Sequence, residues 1–284
     1  MNPQAMTTDL RQTRIRSGLE AANIAGLGVD AVTPERIVEW AVTAAQAGQS
    51  QVCCFATVHM VIEAHRSGQY ARMLAAADRV APDGLPLVWV QHLYGVRNSR
   101  RTAGPDTAPL LWERCAREGL PVALYGATSE TLGRLRDALR QRFPDLQVVY
   151  AYAPPFRPLT PDEDEQIVRD LTASGARMVF VALGCPKQEI WCIEHRGRIP
   201  AVLLPVGAAF DFHAGTLRRA PVWLQRLGLE WLHRLAQEPR RLARRYFIYN
   251  TWFVLLVAMQ WLGLRSFAPA PPWDTATSSQ ETSA

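Results

Sequence analysis

Two kinds of apolar pattern alternate along the chain. Residues 34–47 space their apolar positions three and four apart behind Thr33, a suitable N-cap, and so predict a helix. Residues 51–57 form a short, nearly unbroken apolar run of strand type, followed by a helical stretch over 60–77. The alternation continues with a strand at 121–125, a turn at Gly126, a helix at 129–142 and a strand at 146–152. A helix over 161–173 opens with Asp162, Glu163, Asp164 and Glu165, as the helix dipole favours. Strand 177–183, helix 186–195 and strand 201–206 complete the series. Apolar strands separated by helices of this length imply a parallel sheet covered on both faces. The expected fold class is therefore α/β, a Rossmann-like, mostly parallel sheet with helices on both faces and ligand sites outside the carboxyl ends of the strands.

The pattern also divides the chain. Residues 1–20 and the Pro-, Ser- and Thr-rich 267–284 read as flexible tails, 21–215 as the Rossmann-like domain, and 216–266 as a basic, then apolar, helical appendage. Composition changes little: 48% apolar and 20% charged residues are ordinary for a globular protein. Cys53, Cys54, Cys115, Cys185 and Cys192 show no Cys-x-x-Cys pairing, so reduced thiols are expected rather than a disulfide framework or a zinc site. No basic-then-apolar leader opens the chain, so the expectation is a cytoplasmic protein or one on the cytoplasmic face of the inner membrane.

Charge sharpens the picture. The net charge is +5, yet residues 214–250 alone hold eight arginines against Glu230 and Glu238, so the basic character belongs to this segment. Such a segment suits phosphates, whether of nucleic acid, lipid headgroups or a pyrophosphate. Its arginines interleave with Trp231, Leu235 and Leu242 at helical spacing and lead into residues 246–264, which carry no formal charge; this suits lipid better than nucleic acid. Nineteen residues reach about 28 Å as a helix, barely a bilayer, and Asn250, Thr251, Gln260 and several aromatics favour a segment lying at the interface. The alternatives are a spanning helix, or a helix buried in the core or in a homo-oligomer interface.

Candidate chemistry sits in the loops after strands. Asp83, in Pro82-Asp83-Gly84, fits either a general base facing a cleft or an ordinary turn. The run 183–189, strand to tight turn to helix, offers unpaired N–H groups for an anion or a sugar, or is simply a helix start. Asp211, at a strand end, could accept from a ribose or base, or cap a turn. Neither a Gly-x-Gly-x-x-Gly fingerprint nor a Walker loop occurs. The Asp-x-Asp spacing within 162–165 lies in a helix's first turn and reads as a solvated helix start. His92, His195 and His213 lack metal-ligand spacing.

In order, several elements resemble the WecG/TagA/CpsF family, glycosyltransferase family 26, from about residue 29 to 245. They are Thr57-x-His59, Ala77-Asp78 with Pro82-Asp83-Gly84, the run 101–106, Ala153-Pro154-Pro155-Phe156, Gly184-Cys185-Pro186-Lys187-Gln188-Glu189 and Gly207-Ala208-Ala209-Phe210-Asp211. Arg219-Ala220-Pro221, Gly228-Leu229-Glu230-Trp231, Arg234-Leu235 and Glu238-Pro239-Arg240-Arg241 follow. The resemblance implies a metal-independent, inverting transferase that needs no cofactor and carries a membrane-associated C-terminal appendage. It would move a ManNAc-type amino sugar or a hexose from a UDP-sugar to an undecaprenyl-diphosphate-linked acceptor in surface polysaccharide biosynthesis.

By the same resemblance Asp83 falls on the general base and Thr57 on its neighbour, Arg101 and Gln188 on residues near the donor, and Asp211 on a nucleotide contact. Arg234, Arg241 and Arg244 fall on arginines that close over the site. The family's usual Asn is replaced by His59, whose imidazole matches one amide hydrogen bond but not the donor–acceptor pair, so sugar identity is left open. Ala103 is a smaller departure. A different class of reading, a non-catalytic nucleotide-sugar-binding assembly factor, would keep Gln188 and Asp211 but have no use for Asp83.

Overall fold

The computed structural model describes residues 13–16 and 19–272; the side chains of residues 13–16, Arg226, Arg240, Arg241, Leu242, Arg244 and Arg245 lie outside the description. An antiparallel sheet comes first, with strands β1 (Thr13–Arg16), β2 (Leu19–Ile24) and β3 (Leu27–Asp30) in that order. Ala25 and Gly26, with φ of 50° and 98°, make the tight β2–β3 turn, where positive φ at both positions matches the strands' twist. This sheet was not anticipated, and β1 lies in the stretch read as a tail.

The main sheet alternates with helices: α1 (Pro34–Gln46), β4 (Gln51–Ala56), α2 (Val58–Arg66), α3 (Gly68–Ala76), β5 (Arg79–Pro82), α4 (Leu85–Leu93), α5 (Gly104–Glu118), β6 (Val122–Gly126) and α6 (Ser129–Arg142). It continues with β7 (Val148–Tyr152), α7 (Pro161–Ala173), β8 (Met178–Ala182), α8 (Lys187–Glu194), β9 (Val202–Pro205) and α9 (Ala209–Ala214). The six strands β4 to β9 stand in the order β5-β4-β9-β8-β6-β7, every neighbouring pair parallel. The α/β class with a parallel sheet flanked by helices is as expected.

The two-residue period of the strands builds two cores. Cys54, Ala56, Val179, Val181 and Leu203 join the cluster on one face, while Cys53, Phe55, Phe180, Val202 and Leu204 join the other. Apolar side chains on both faces explain why these strands show no polar alternation.

Three expectations are corrected. The helix expected over 60–77 is two helices. Ser67 leaves helical geometry at φ −126° and ψ 105°, and its hydroxyl accepts from the Tyr70 N–H at 3.2 Å, so it ends α2 and caps α3. Residues before Asp83 are not a turn between helices but strand β5, an edge strand that tolerates Pro82 at its end. Asp164, expected to be solvated, turns inward and accepts from His195 Nε2 at 2.9 Å and Trp191 Nε1 at 3.3 Å.

Three helices follow the sheet: α10 (Val222–Arg226), α11 (Glu230–Gln237) and α12 (Pro239–Trp261). No helix among the described residues is long and apolar enough to cross a membrane. One side of α12 packs on α2, with Phe253 and Leu256 buried. Its end is tied to the N-terminal hairpin: Gln260 donates to Asn23 O at 2.8 Å and accepts from the Ala25 N–H at 2.9 Å. Beyond it Phe267, in the stretch read as a tail, is 6% exposed, and its carbonyl accepts from Asn23 Nδ2 at 2.6 Å.

Candidate active site

At the carboxyl edge of the sheet, the chain leaves β4, β5, β8 and β9 around one cavity of about 830 Å³. Thr57, His59, Asp83, Arg101, Gln188 and Arg234 all line it. Thr57 caps α2, accepting from the Met60 N–H at 3.3 Å. His59, the second residue of that helix, lies edge-on to Tyr249 of α12 with ring centres 4.9 Å apart, and its Nε2 is 3.8 Å from Glu63. Tyr249 in turn donates to Glu63 and accepts from Arg66 at 2.9 Å, which holds α12 against α2 beside the Thr57–His59 turn.

Asp83 follows β5 directly. Its N–H bonds Ala56 O at 2.9 Å, and its Oδ2 accepts from the Gly104 N–H at 3.3 Å. Burial pushes its carboxyl up to about 6; the Arg101 guanidinium, 3.8 Å away, opposes this, and the nearby charge of Glu230 adds to it. Arg101 bonds Asp83 O at 2.9 Å and pairs with Asp106 and Glu230, each at 2.8 Å. Arg219 spans the same two acids, at 2.5 and 3.2 Å. Asp106 is half-buried, which alone would raise its carboxyl; the bond to Arg219 and the charges of Arg219 and Arg101 bring it below its usual value. Arg101 thus serves as a fixed bridge between the loop after β5 and α11.

Gln188, buried in the first turn of α8, accepts from the Gly184 N–H at 3.2 Å and donates to Pro205 O at 3.3 Å, joining the ends of β8 and β9. Gly207 is needed beside it: φ is 53°, and a Cβ there would lie 3.2 Å from Gln188 Oε1. Arg234 lies over the Phe212 ring at 6.0 Å, and its buried Nε has no hydrogen-bond partner among the described residues. It is a cation with donor capacity left for a ligand.

Asp211 is not brought to this cavity. It sits in the first turn of α9, where Oδ1 accepts from Thr131 at 3.4 Å and Thr216 at 3.2 Å, facing the N-terminal end of α6. The side chains of Arg241 and Arg244, on the first turns of α12, lie outside the described residues. Also among the described residues, no group of three or more His, Cys, Asp or Glu side chains is placed to hold a metal ion.

From Asp83 the cavity extends between two helices. Leu85, Pro86, Trp89 and Leu93 of α4 face Val254, Val257, Ala258 and Trp261 of α12. On α12 the lining positions recur three and four apart from Tyr246 to Trp261, a stripe of about 22 Å. The α10–α11 turn closes over this trough, Gly228 packing so tightly on Trp89 that a Cβ would come within 3.2 Å. The trough and the acid network were missed in the sequence. The signal for Glu230 was its place one turn ahead of Arg234; that for the trough was the three-and-four spacing over 246–261.

Residues 22–267 match the model of the glycosyl transferase WecG/TagA/CpsF family. The chain belongs to that family. It is also 33% identical, over 184 residues, to the N-acetylglucosaminyldiphosphoundecaprenol N-acetyl-beta-D-mannosaminyltransferase of Bacillus spizizenii, covering 64% of this chain and 69% of that protein. The family member described here is therefore a glycosyltransferase, and the cavity ringed by Thr57, Asp83, Arg101 and Gln188 is its candidate active site.

Proposed function

We propose that this chain is an inverting, metal-independent glycosyltransferase of bacterial surface polysaccharide biosynthesis. It moves a ManNAc-type amino sugar or a hexose from a UDP-sugar to a sugar linked to undecaprenyl diphosphate. The observation that carries the reading is the continuity of one cavity, with a poised carboxyl at its polar end and an apolar trough leading away. A lipid-linked sugar has the same two-part chemistry. The Bacillus spizizenii relative's name specifies such an acceptor.

Asp83 accepts the proton of the acceptor hydroxyl as that oxygen forms its bond to the anomeric carbon. The bond from that carbon to UDP breaks on the opposite face, and the electron pair leaves with the diphosphate. A base of this kind contributes roughly 10²–10⁴-fold. Arg234 meets the charge gathering on the diphosphate, joined by Arg241 and Arg244 as the family resemblance implies. Thr57 and His59 border the transferred or accepting sugar, and Asp211 serves the nucleotide from the α6 side.

The appendage lies on the membrane surface. Trp223, Phe247, Trp252, Leu255 and Leu264 stand more than half exposed on or beside α10 and α12, and the arginines at 240–245 would add on the order of 1 kcal/mol each at an anionic surface. The protein is thus read as peripheral to the inner membrane on its cytoplasmic side. Screening UDP-sugars against a short-chain lipid-diphosphate-GlcNAc acceptor, with product mass as readout, tests the reaction. Donor hydrolysis or binding without any transferred sugar would refute it.

A further inference from the structure

Glu189 lines the cavity and takes no part in the chemistry above. It follows Gln188 in the first turn of α8 and is 1% exposed. Its Oε1 accepts from Gln188 Nε2 at 2.7 Å, while the same amide nitrogen donates to Pro205 O and the amide oxygen accepts from Gly184 N–H. This arrangement has one sense only. Turned over, the amide would set its NH₂ against the Gly184 N–H and its oxygen against two acceptors, leaving buried groups unpaired. Glu189 makes the shortest of the three bonds and, with the Gly184 N–H and Pro205 O, fixes which way the Gln188 amide points at the ends of β8 and β9.

Resting on the transferase reading, we propose that Glu189 is a positioning residue for sugar transfer. By accepting from Gln188 Nε2 it presets the surface that the nucleotide-sugar donor meets. The groups around it are the Tyr70 hydroxyl of α3, 3.5 Å from Oε2, the Cys185 thiol before α8, Cys192 further along α8 and, beyond Cys185, Glu63 of α2. Burial pushes the Glu189 carboxyl up to about 7, only partly offset by its hydrogen bond from Gln188. Its hold on Gln188 strengthens as it ionises, so donor affinity rises as pH rises through that value.

Three variants and one spectrum test this. Glu189→Ala removes the acceptor and lowers kcat/KM for the UDP-sugar on the order of 10²-fold, through donor KM, with acceptor KM unmoved. Glu189→Gln keeps an accepting oxygen in the same volume and restores most of the activity. Gln188→Ala combined with Glu189→Ala is no worse than Gln188→Ala alone. Additive losses, or a Glu189→Gln enzyme as impaired as Glu189→Ala, overturn the proposal.

The spectrum needs no turnover. In the wild type the ¹⁵N side-chain amide signal of Gln188, identified by its loss in Gln188→Ala, shifts with a midpoint near pH 7; in Glu189→Gln it stays still. A wild-type signal insensitive to pH breaks the link, even where no sugar is transferred and the transferase reading itself has failed.

Discussion

At the floor of the cavity, Asp83 and Gln188 follow the ends of β5 and β8, strands whose residues are almost wholly buried. The roof comes from α10 to α12, where α11 has no buried residue and Val222, Trp223, Leu227 and Leu232 are exposed. The floor is held by two cores and by backbone hydrogen bonds, so its polar groups are preset. The roof is held at a few points: Arg101 and Arg219 against Asp106 and Glu230, Gly228 on Trp89, Tyr249 against Glu63 and Arg66, and Gln260 against the hairpin. The difference suits a transferase that fixes its sugar chemistry in the sheet while taking a lipid from a surface. On the proposed reading, helices that meet a membrane surface keep part of their apolar area out of the core.

The largest expected effect comes from the floor. Asp83→Asn should lower kcat by about 10²–10⁴-fold while raising thermal stability above pH 6. The sign follows from the raised carboxyl: folded Asp83 holds its proton up to about 6 where an unfolded Asp releases it near 3.8, so folding loses stability as pH rises across that interval. A neutral amide is free of that cost. Steady-state kinetics and thermal melts at two pH values check both halves, and for the wild type kcat/KM should rise with pH through about 6.

Next in size is the joint between floor and roof. Arg101→Met leaves Asp83 without its cation and Asp106 and Glu230 to Arg219 alone, costing on the order of 2–3 kcal/mol in stability. It also moves the acid limb of the pH–rate profile upward, because the charge that opposed Asp83's raised value is gone. An unmoved limb would mean that Arg101 and Asp83 are not electrically coupled.

A third change sharpens the contrast on the roof side. Trp89→Glu puts a charge in the trough and should raise KM for a long polyprenyl acceptor about tenfold or more while sparing a short, soluble one. Equal effects on both acceptors would show that the trough does not hold the lipid chain. The smallest effect belongs to Gln260→Ala, which loses two hydrogen bonds to the hairpin: about 1–2 kcal/mol, or a few degrees in Tm, with kcat unchanged.

The same contrast governs what the sequence disclosed. Strands β4, β6, β8 and β9 were legible because burial on both faces leaves an unbroken apolar run. Strand β5 was not, because its apolar run is only Val80-Ala81, between Arg79 and Pro82. Residues 19–30 hold only Ile24 and Val29 as β-branched residues and no aromatic, too weak a strand signal to reveal a hairpin whose partner, α12, lies more than two hundred residues away. Thr57, His59, Asp83, Arg101, Gln188 and Arg234 were found through ordered motifs and do meet in one cavity. Asp211, singled out in the same way, stands apart on the α6 side, since spacing says which strand end a residue occupies and not which crevice it faces. Glu189 went unnoticed as chemistry because an acid in the first turn of a helix ordinarily looks solvated.

One measurement bears most directly on the central claim, that Asp83 drives sugar transfer onto a lipid-linked acceptor. Wild-type enzyme and Asp83→Asn are each incubated with UDP-ManNAc and a lipid-diphosphate-GlcNAc acceptor, and the lipid product is weighed by mass spectrometry. The account predicts an acceptor heavier by one sugar residue with the wild type and its near absence with Asp83→Asn. Equal product from both enzymes would contradict it.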